Sequence, residues 1–255
     1  MAGVVVGVAG ADRPRAAVRW AGVEAAQRGA DLHLVHAWSV PVAVSLPRLV
    51  LPDVPVAATS TAVPGQPVEV LLGSAPDLLV LGGRSGSAHV SRVTGACLRR
   101  AQCPVVVVPE TATAPPTGRV VVAVCGSRAS QNALRWAGRH AELRGSDLVV
   151  AHVRQPPLVS SDLLLRTPRT ATPGRTAEDR LRSWVQAGLG RRDVEIVLTQ
   201  GPPLEGLLEL GEGADLLVLG RSRAHAGVGR VLHGALGNDV SGLAPCPVAV
   251  IPFGG

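Results

Sequence analysis

The sequence predicts an α/β protein built from two tandem open, mostly parallel five-stranded sheets with helices on both faces, and three observations carry that prediction. The first is that the chain repeats itself. Val4-Val5-Val6-Gly7-Val8-Ala9-Gly10, then Arg19-Trp20-Ala21-Gly22, Arg28-Gly29-Ala30-Asp31-Leu32 and His36, return as Val120-Val121-Val122-Ala123-Val124-Cys125-Gly126, Arg135-Trp136-Ala137-Gly138, Arg144-Gly145-Ser146-Asp147-Leu148 and His152. The offset is constant, since 136 − 20, 147 − 31 and 152 − 36 all give 116. A repeat of this length is a whole domain rather than one unit of a solenoid, so each copy can close its own core. The second observation is that apolar runs of strand length alternate with segments of helical periodicity, the pattern of parallel strands joined by right-handed crossovers. The third is an aliphatic composition: Phe253 and four Trp supply all the aromatic rings among 255 residues, which suits strands buried on both faces.

The second copy, 119–255, reads as complete. Its first strand covers 119–125, followed by a helix over 129–144 that Gly145 stops in the left-handed conformation favoured at helix ends. A strand at 148–153, a Pro- and Arg-rich loop, a helix at 176–187 and a strand at 194–199 come next. A short helix at 203–210 opens on a proline, where the missing N–H costs nothing. The strand 215–220, a helix at 234–243 and the strand 247–251 complete the order.

The first copy, 1–110, is abridged. Asp77-Leu78-Leu79-Val80-Leu81-Gly82 matches Asp215-Leu216-Leu217-Val218-Leu219-Gly220 at 215 − 77 = 138, so 138 − 116 = 22 residues are missing between its second and fourth strands. The intervening 39–54 holds Pro41, Pro47 and Pro52 and cannot be a regular helix. The first domain therefore lacks the helix equivalent to 176–187, and its thinner sheet face calls for cover from the neighbouring domain or a second chain. The linker, 110–118, is short enough to keep the halves in contact.

Composition removes several functions. The net charge of +6 comes entirely from Arg, because the chain contains no Lys. A GxxxxGK[ST] phosphate loop, a Schiff-base lysine and the kinase strand lysine are excluded outright. The arginines are dispersed rather than striped and read as a coding bias, so no specific nucleic-acid partner is expected. No stretch approaches the roughly 18 apolar residues of a membrane span and no leader pattern opens the chain, which reads as soluble and cytoplasmic with no membrane partner. Cys97, Cys103, Cys125 and Cys246 form no CxxC pair and no metal spacing with His, so no metal site is expected. Cys103 and Cys246 precede matching Pro-Val runs and have packing roles, whereas Cys125 follows a strand at the edge where ligands gather and is the one to test for reactivity.

In such sheets, ligands collect beyond the carboxyl ends of the strands. Two segments per copy reach that edge. One is the turn after the first strand, Ala9-Gly10 and Cys125-Gly126, with Val153 at the end of the second copy's second strand. The other is the Gly-rich stretch after the fourth strand, Gly82-Gly83-Arg84-Ser85-Gly86 and Gly220-Arg221-Ser222-Arg223, leading to the last helix. Helix-start amides attract anions and flanking arginines strengthen the field, although glycines there serve equally to permit tight turns.

The VVVGVxGS-like opening, the RWA helix, the LVHxW and VAHV strands, DLLVLG and the terminal CPVxVxP strand together resemble the universal stress protein family in tandem form, over almost the whole chain. Members of the ATP-binding type carry an Asp at the end of the first strand and a G-x2-G-x9-G-[ST] loop whose amides and hydroxyl hold phosphates. Both copies depart from that pattern. The Asp position holds Ala9 in one copy and Cys125 in the other. In the second copy Gly220 matches the first glycine, but Arg223 replaces the second, the spacing is one residue longer and Gly234-Ala235 replaces Gly-[ST]. In the first copy Ser91-Arg92 aligns with the terminal pair with a loop about four residues short; Gly95-Ala96 is an alternative alignment.

Each lost charge-assisted contact costs about 1.5–3 kcal/mol, or roughly tenfold to a hundredfold in affinity. The expectation is that the first copy binds no nucleotide, its degenerate equivalents being Ala9, Gly10, Gly82, Arg84, Ser91 and Arg92. The second copy is expected to bind weakly, or to use Arg221, Arg223 and Arg230 for another anion. The resemblance thus implies a non-catalytic protein that binds a regulator, a protein partner or a weak anionic ligand, with no cofactor unless ATP. The alternative is an ATP-responsive switch with slow hydrolysis in the second copy. A flavoprotein-like or other nucleotide-using enzyme shares the topology, but the chain has no cofactor motif for it. His89, His225 and His233 share no metal spacing, His36 and His152 read as hydrogen-bonded structural residues, and no G-x-S-x-G elbow occurs. Trp20 and Trp136 are expected to pack the first helix of each copy on its sheet. The fifth strands, 105–108 and 248–251, are apolar edges that invite pairing with another copy; in the family that the chain resembles these strands join two domains around a twofold axis, and the resemblance implies that the two halves form that pair within one chain, with a homodimer as a further candidate.

Overall fold

The protein is described by a computed structural model covering residues 3–8, 15–38, 56–84, 86, 89–112, 116–154, 177–190, 194–221 and 230–253. The first half runs β1 (Gly3–Gly7), α1 (Arg15–Arg28), β2 (Asp31–Trp38), β3 (Ala58–Pro64), α2 (Pro67–Gly73), β4 (Leu78–Gly83), α3 (Arg92–Arg100), β5 (Val105–Pro109). The second runs β6 (Arg119–Ala123), α4 (Arg128–Arg144), β7 (Asp147–Arg154), α5 (Ala177–Leu189), β8 (Glu195–Gln200), α6 (Pro203–Gly211), β9 (Leu216–Gly220), α7 (Arg230–Leu243), β10 (Val248–Ile251).

The two five-stranded units are not separate sheets. They merge into one ten-stranded sheet in the order β3-β2-β1-β4-β5-β10-β9-β6-β7-β8. Within each half the pairings are parallel. The halves meet where β5 and β10 pair antiparallel, Val107 opposite Val248, Val106 opposite Ala249 and Val105 opposite Val250. The fifth strands are therefore the seam, as their unrelieved apolar character requires: left unpaired, each would be a bare edge.

Alternation along the strands divides the core into two layers. Val4, Val6, Leu78, Val80 and Val106 join Ala17, Ala21 and Ala25 of α1 and Ala133, Leu134 and Ala137 of α4 on one face. Val5, Leu79, Leu81, Val105 and Val107 join Leu98 of α3 and Val240 of α7 on the other. At the seam, α1 touches α4 on the first face and α3 touches α7 on the second.

Local chemistry sets the element ends. Ser127 accepts the Ser130 N–H at the start of α4, and Gly145 closes that helix at φ 61°, where a side chain would strain the backbone. Pro67 and Pro203 open α2 and α6. One boundary differs from the sequence reading: α7 begins at Arg230, so Gly234 and Ala235 lie inside the helix rather than at its start. A glycine within a helix costs only about 1 kcal/mol, which the packing of the remaining turns overrides. The abridged segment 39–54, and with it the expected absence of a helix there and the cover of that sheet face, lies outside the described residues.

Equivalent aspartates clamp the lower edge of the sheet. Asp77 Oδ2 accepts the Gly3 N–H at 2.7 Å. Asp215 does more, accepting the N–H groups of Thr117, Gly118 and Arg119 and the Thr117 hydroxyl at 2.6–3.2 Å, which ties the linker to the start of β9. Asp215→Ala is expected to cost about 2 kcal/mol and Asp77→Ala less, a ranking that parallel urea titrations would check.

Candidate functional site

In the second half the strand ends and the turn after β6 form one surface. His152 Nδ1–H donates to the Val124 carbonyl at 2.6 Å, and His36 Nδ1–H does the same to Val8 at 2.8 Å. Both histidines thus hold the chain as it leaves the first strand of their copy, the structural role expected of them. Beyond Val124, Gly126 turns the chain at φ 78°, and Cys125 stands exposed.

The turn satisfies its own hydroxyls. Ser130 Oγ accepts the Cys125 N–H at 3.3 Å and donates to the Ser127 carbonyl at 2.9 Å. Ser127 Oγ accepts from Ser130 N at 3.2 Å and from the Cys125 thiol at 3.3 Å. An anion arriving at the start of α4 would have to displace these bonds.

Gly220 ends β9 directly against that turn. A Cβ there would lie 2.5 Å from the Ala129 carbonyl oxygen and 2.9 Å from Ser130 N, so only glycine lets the strand end approach the helix start this closely. Cys125, Gly126 and Gly220 are thereby brought together. Val153 stands aside from them: the Cβ position of Gly206 on α6 lies 3.1 and 3.2 Å from its two methyls, so α6 sits on this side chain.

Arg221 turns away from the turn as well. Its N–H bonds the Ile251 carbonyl at 2.7 Å and its Nη1 donates to the Leu98 carbonyl at 3.1 Å, in the last turn of α3 in the other half. A carbonyl there has no intrahelical partner, and a cation at a helix carboxyl end is favourable. Arg230 opens α7, with Gly234 and Ala235 in its following turn, while Arg223 and His225 fall outside the described residues.

In the first half, Ala9 and Gly10 also fall outside. Gly82 and Arg84 are exposed at the end of β4. Ser91 is committed as the cap of α3, accepting the Thr94 N–H at 3.0 Å with its hydroxyl 2.8 Å from that of Thr94, and Arg92 is the first residue of the helix. Among the described residues, no group of three His, Cys, Asp or Glu is placed to hold a metal, and no helix is long and apolar enough to cross a membrane.

Comparison with known proteins decides the family. The model of the universal stress protein family matches residues 116–252. Over 285 aligned positions the chain is 30% identical to the universal stress protein Rv2623 of Mycobacterium tuberculosis, covering 97% of this chain and 95% of that protein. The chain belongs to the universal stress protein family. A universal stress protein of Thermus aquaticus is 30% identical over 135 residues, 52% of this chain and 96% of its own length. The crystal structure of a universal stress protein from Archaeoglobus fulgidus shares the fold at a TM-score of 0.72, with 17% identity and 99% and 98% of the two chains covered.

In this universal stress protein the seam holds a cluster that sequence reasoning missed. Glu24 of α1 is 1% exposed and His140 of α4 is 3% exposed. His140 Nδ1 lies 3.1 Å from Glu24 Oε1, Arg28 reaches the same oxygen at 2.6 Å and Arg144 Nη2 reaches Oε2 at 2.9 Å. The imidazole stacks on Trp136 and Trp20 at centroid distances of 5.1 and 6.2 Å. Arg28 lies over the Trp136 ring and Arg144 over the Trp20 ring. Burial alone would raise the Glu24 pKa, but the hydrogen bond from His140 and the surrounding cations overcome it and hold the carboxyl down at about 2. The two tryptophans, expected to pack their helices on the sheet, lie in or against that core face and also meet the imidazole between the copies. The signal was in the repeat: 140 − 24 and 144 − 28 both give 116.

The thiols divide by exposure. Burial pushes Cys97 up to about 11 and Cys246 up to about 12, and raises half-buried Cys103. A thiol-directed reagent should therefore label one fast cysteine in the folded chain, with the fast phase lost in Cys125→Ser.

Proposed function

We propose that this universal stress protein acts without catalysis, as a regulatory binding protein whose two strand-edge sites no longer grip a nucleotide. The observation that carries the reading is the use made of the second site's polar groups. Cys125 occupies the position of the family's carboxylate, Ser127 and Ser130 bond one another and the Cys125 turn, and Arg221 caps a helix of the other half. A triphosphate would find no carboxylate at the Cys125 position to accept its sugar, and the hydroxyls beside that turn are already bonded to one another. Loss of two or more charge-assisted contacts weakens binding by roughly a hundredfold or more.

Isothermal titration of the full chain with ATP tests the reading. It predicts no stoichiometric binding in the micromolar range and no ATP turnover above buffer. Stoichiometric binding at micromolar affinity or tighter, lost in Arg223→Ala, would replace it with an ATP-responsive switch centred on Cys125, Gly220 and Arg223.

A further inference from the structure

We propose that Glu24 and His140 are the pair by which the chain tells its two halves apart, making the α1–α4 contact accept one half of each kind and reject two of the same kind. In a twofold contact, only residues on the axis meet their own equivalents. Glu24 and His140 are equivalents by the 116-residue offset and touch at 3.1 Å, so they sit on that axis. Every other member of the cluster is duplicated: Trp20 with Trp136, Arg28 with Arg144. Within this cluster only the axis position differs between the two copies.

The strand seam cannot supply this discrimination. Val105, Val106 and Val107 face Val250, Ala249 and Val248; Val106 and Ala249 also meet as equivalents but differ only in two methyl groups, so no charge opposes a like pairing there. At the helices the outcome differs by combination. An amino-terminal half against its own kind sets Glu24 against Glu24; an Arg28 from each side balances the two charges, but neither carboxylate can donate to the other, so the contact that His140 fills becomes one between two acceptors in a closed site. A carboxy-terminal half against its own kind sets two imidazoles among two part-buried guanidinium groups with no anion at the axis to answer them. Only the mixed pairing gives a single carboxylate one imidazole and two arginines to answer. The device thus prevents chains from linking end to end through like halves.

The test uses the full-length chain with Glu24→His, which makes the axis position alike in both copies, and with the exchanged double variant Glu24→His/His140→Glu. Light scattering after size exclusion at neutral pH gives the mass, and thermal melting gives the midpoint. The single variant is expected to populate species heavier than wild type, or to fail to fold, with a midpoint at least roughly 5 °C lower. The exchange is expected to restore the wild-type mass and at least half of the lost midpoint, because Arg28 and Arg144 flank the axis from both sides. A single variant that folds and keeps the wild-type mass overturns the proposal, whatever its midpoint. So does an exchange that leaves the mass above that of wild type.

Discussion

Glu24→Ala is expected to cost about 3–5 kcal/mol, the range for removing one partner of a buried charge cluster. The carboxylate is the common acceptor for His140, Arg28 and Arg144, and Arg144 Nε finds no hydrogen-bond acceptor among the described residues. Without Glu24 the cations would face one another beneath two indole rings. A fall in the thermal midpoint of roughly 10 °C follows for a chain of this size. The same carboxylate makes stability depend on pH. Its folded pKa is lowered from 4.5 to about 2, so its contribution is fully present above pH 4.5 and is lost as pH falls through about 2. Exposed Glu69, lowered by Arg100, titrates on the same side of its ordinary value, so the informative comparison is wild type against Glu24→Gln. The gap between their stabilities should narrow from pH 4.5 to pH 2; a gap independent of pH would remove the carboxylate from the account.

Gly220→Ala is expected to cost about 3 kcal/mol, at the upper end for an added methyl, because every atom it meets belongs to backbone. The Cβ would lie 2.5 and 2.6 Å from the Ala129 carbonyl oxygen and carbon, and no rotamer change relieves that. Either β9 or the first turn of α4 must shift, and the Cys125 turn shifts with it. The thiol labelling rate of Cys125 should change in step with the loss of stability. Gly237→Ala is the matched control. Among the described residues nothing lies within 4 Å of its Cβ position in α7, so alanine there should stabilise the helix by about 0.5–1 kcal/mol.

The parts of the fold legible in the sequence were those fixed by period and by backbone chemistry. The 116-residue offset gave both halves one order of elements, the valine runs marked strands, and Gly145 and Pro203 ended and began helices where expected. The apolar fifth strands were legible as edges in need of a partner, and the resemblance to the family made the other half that partner. What stayed hidden depended on partners distant in the chain. Glu24 sits in an Ala-rich helix, where a single acid reads as a solvated position, and its meaning appears only when the other copy brings His140 to it. Arg221 reads equally as an anion ligand or as a helix cap, because a charge does not name its partner; the Leu98 carbonyl that it caps is 123 residues away. Gly234 reads as a helix start because glycine weakens helices, yet the penalty is small beside the packing of α7.

Native mass spectrometry of the full-length chain, purified without added nucleotide and then mixed with ATP at tens of micromolar, tests the central claim most directly. The account predicts the mass of the bare chain before mixing and no discrete adduct afterwards. An adenine nucleotide retained through purification, or a stoichiometric ATP adduct that Arg223→Ala removes, would contradict it.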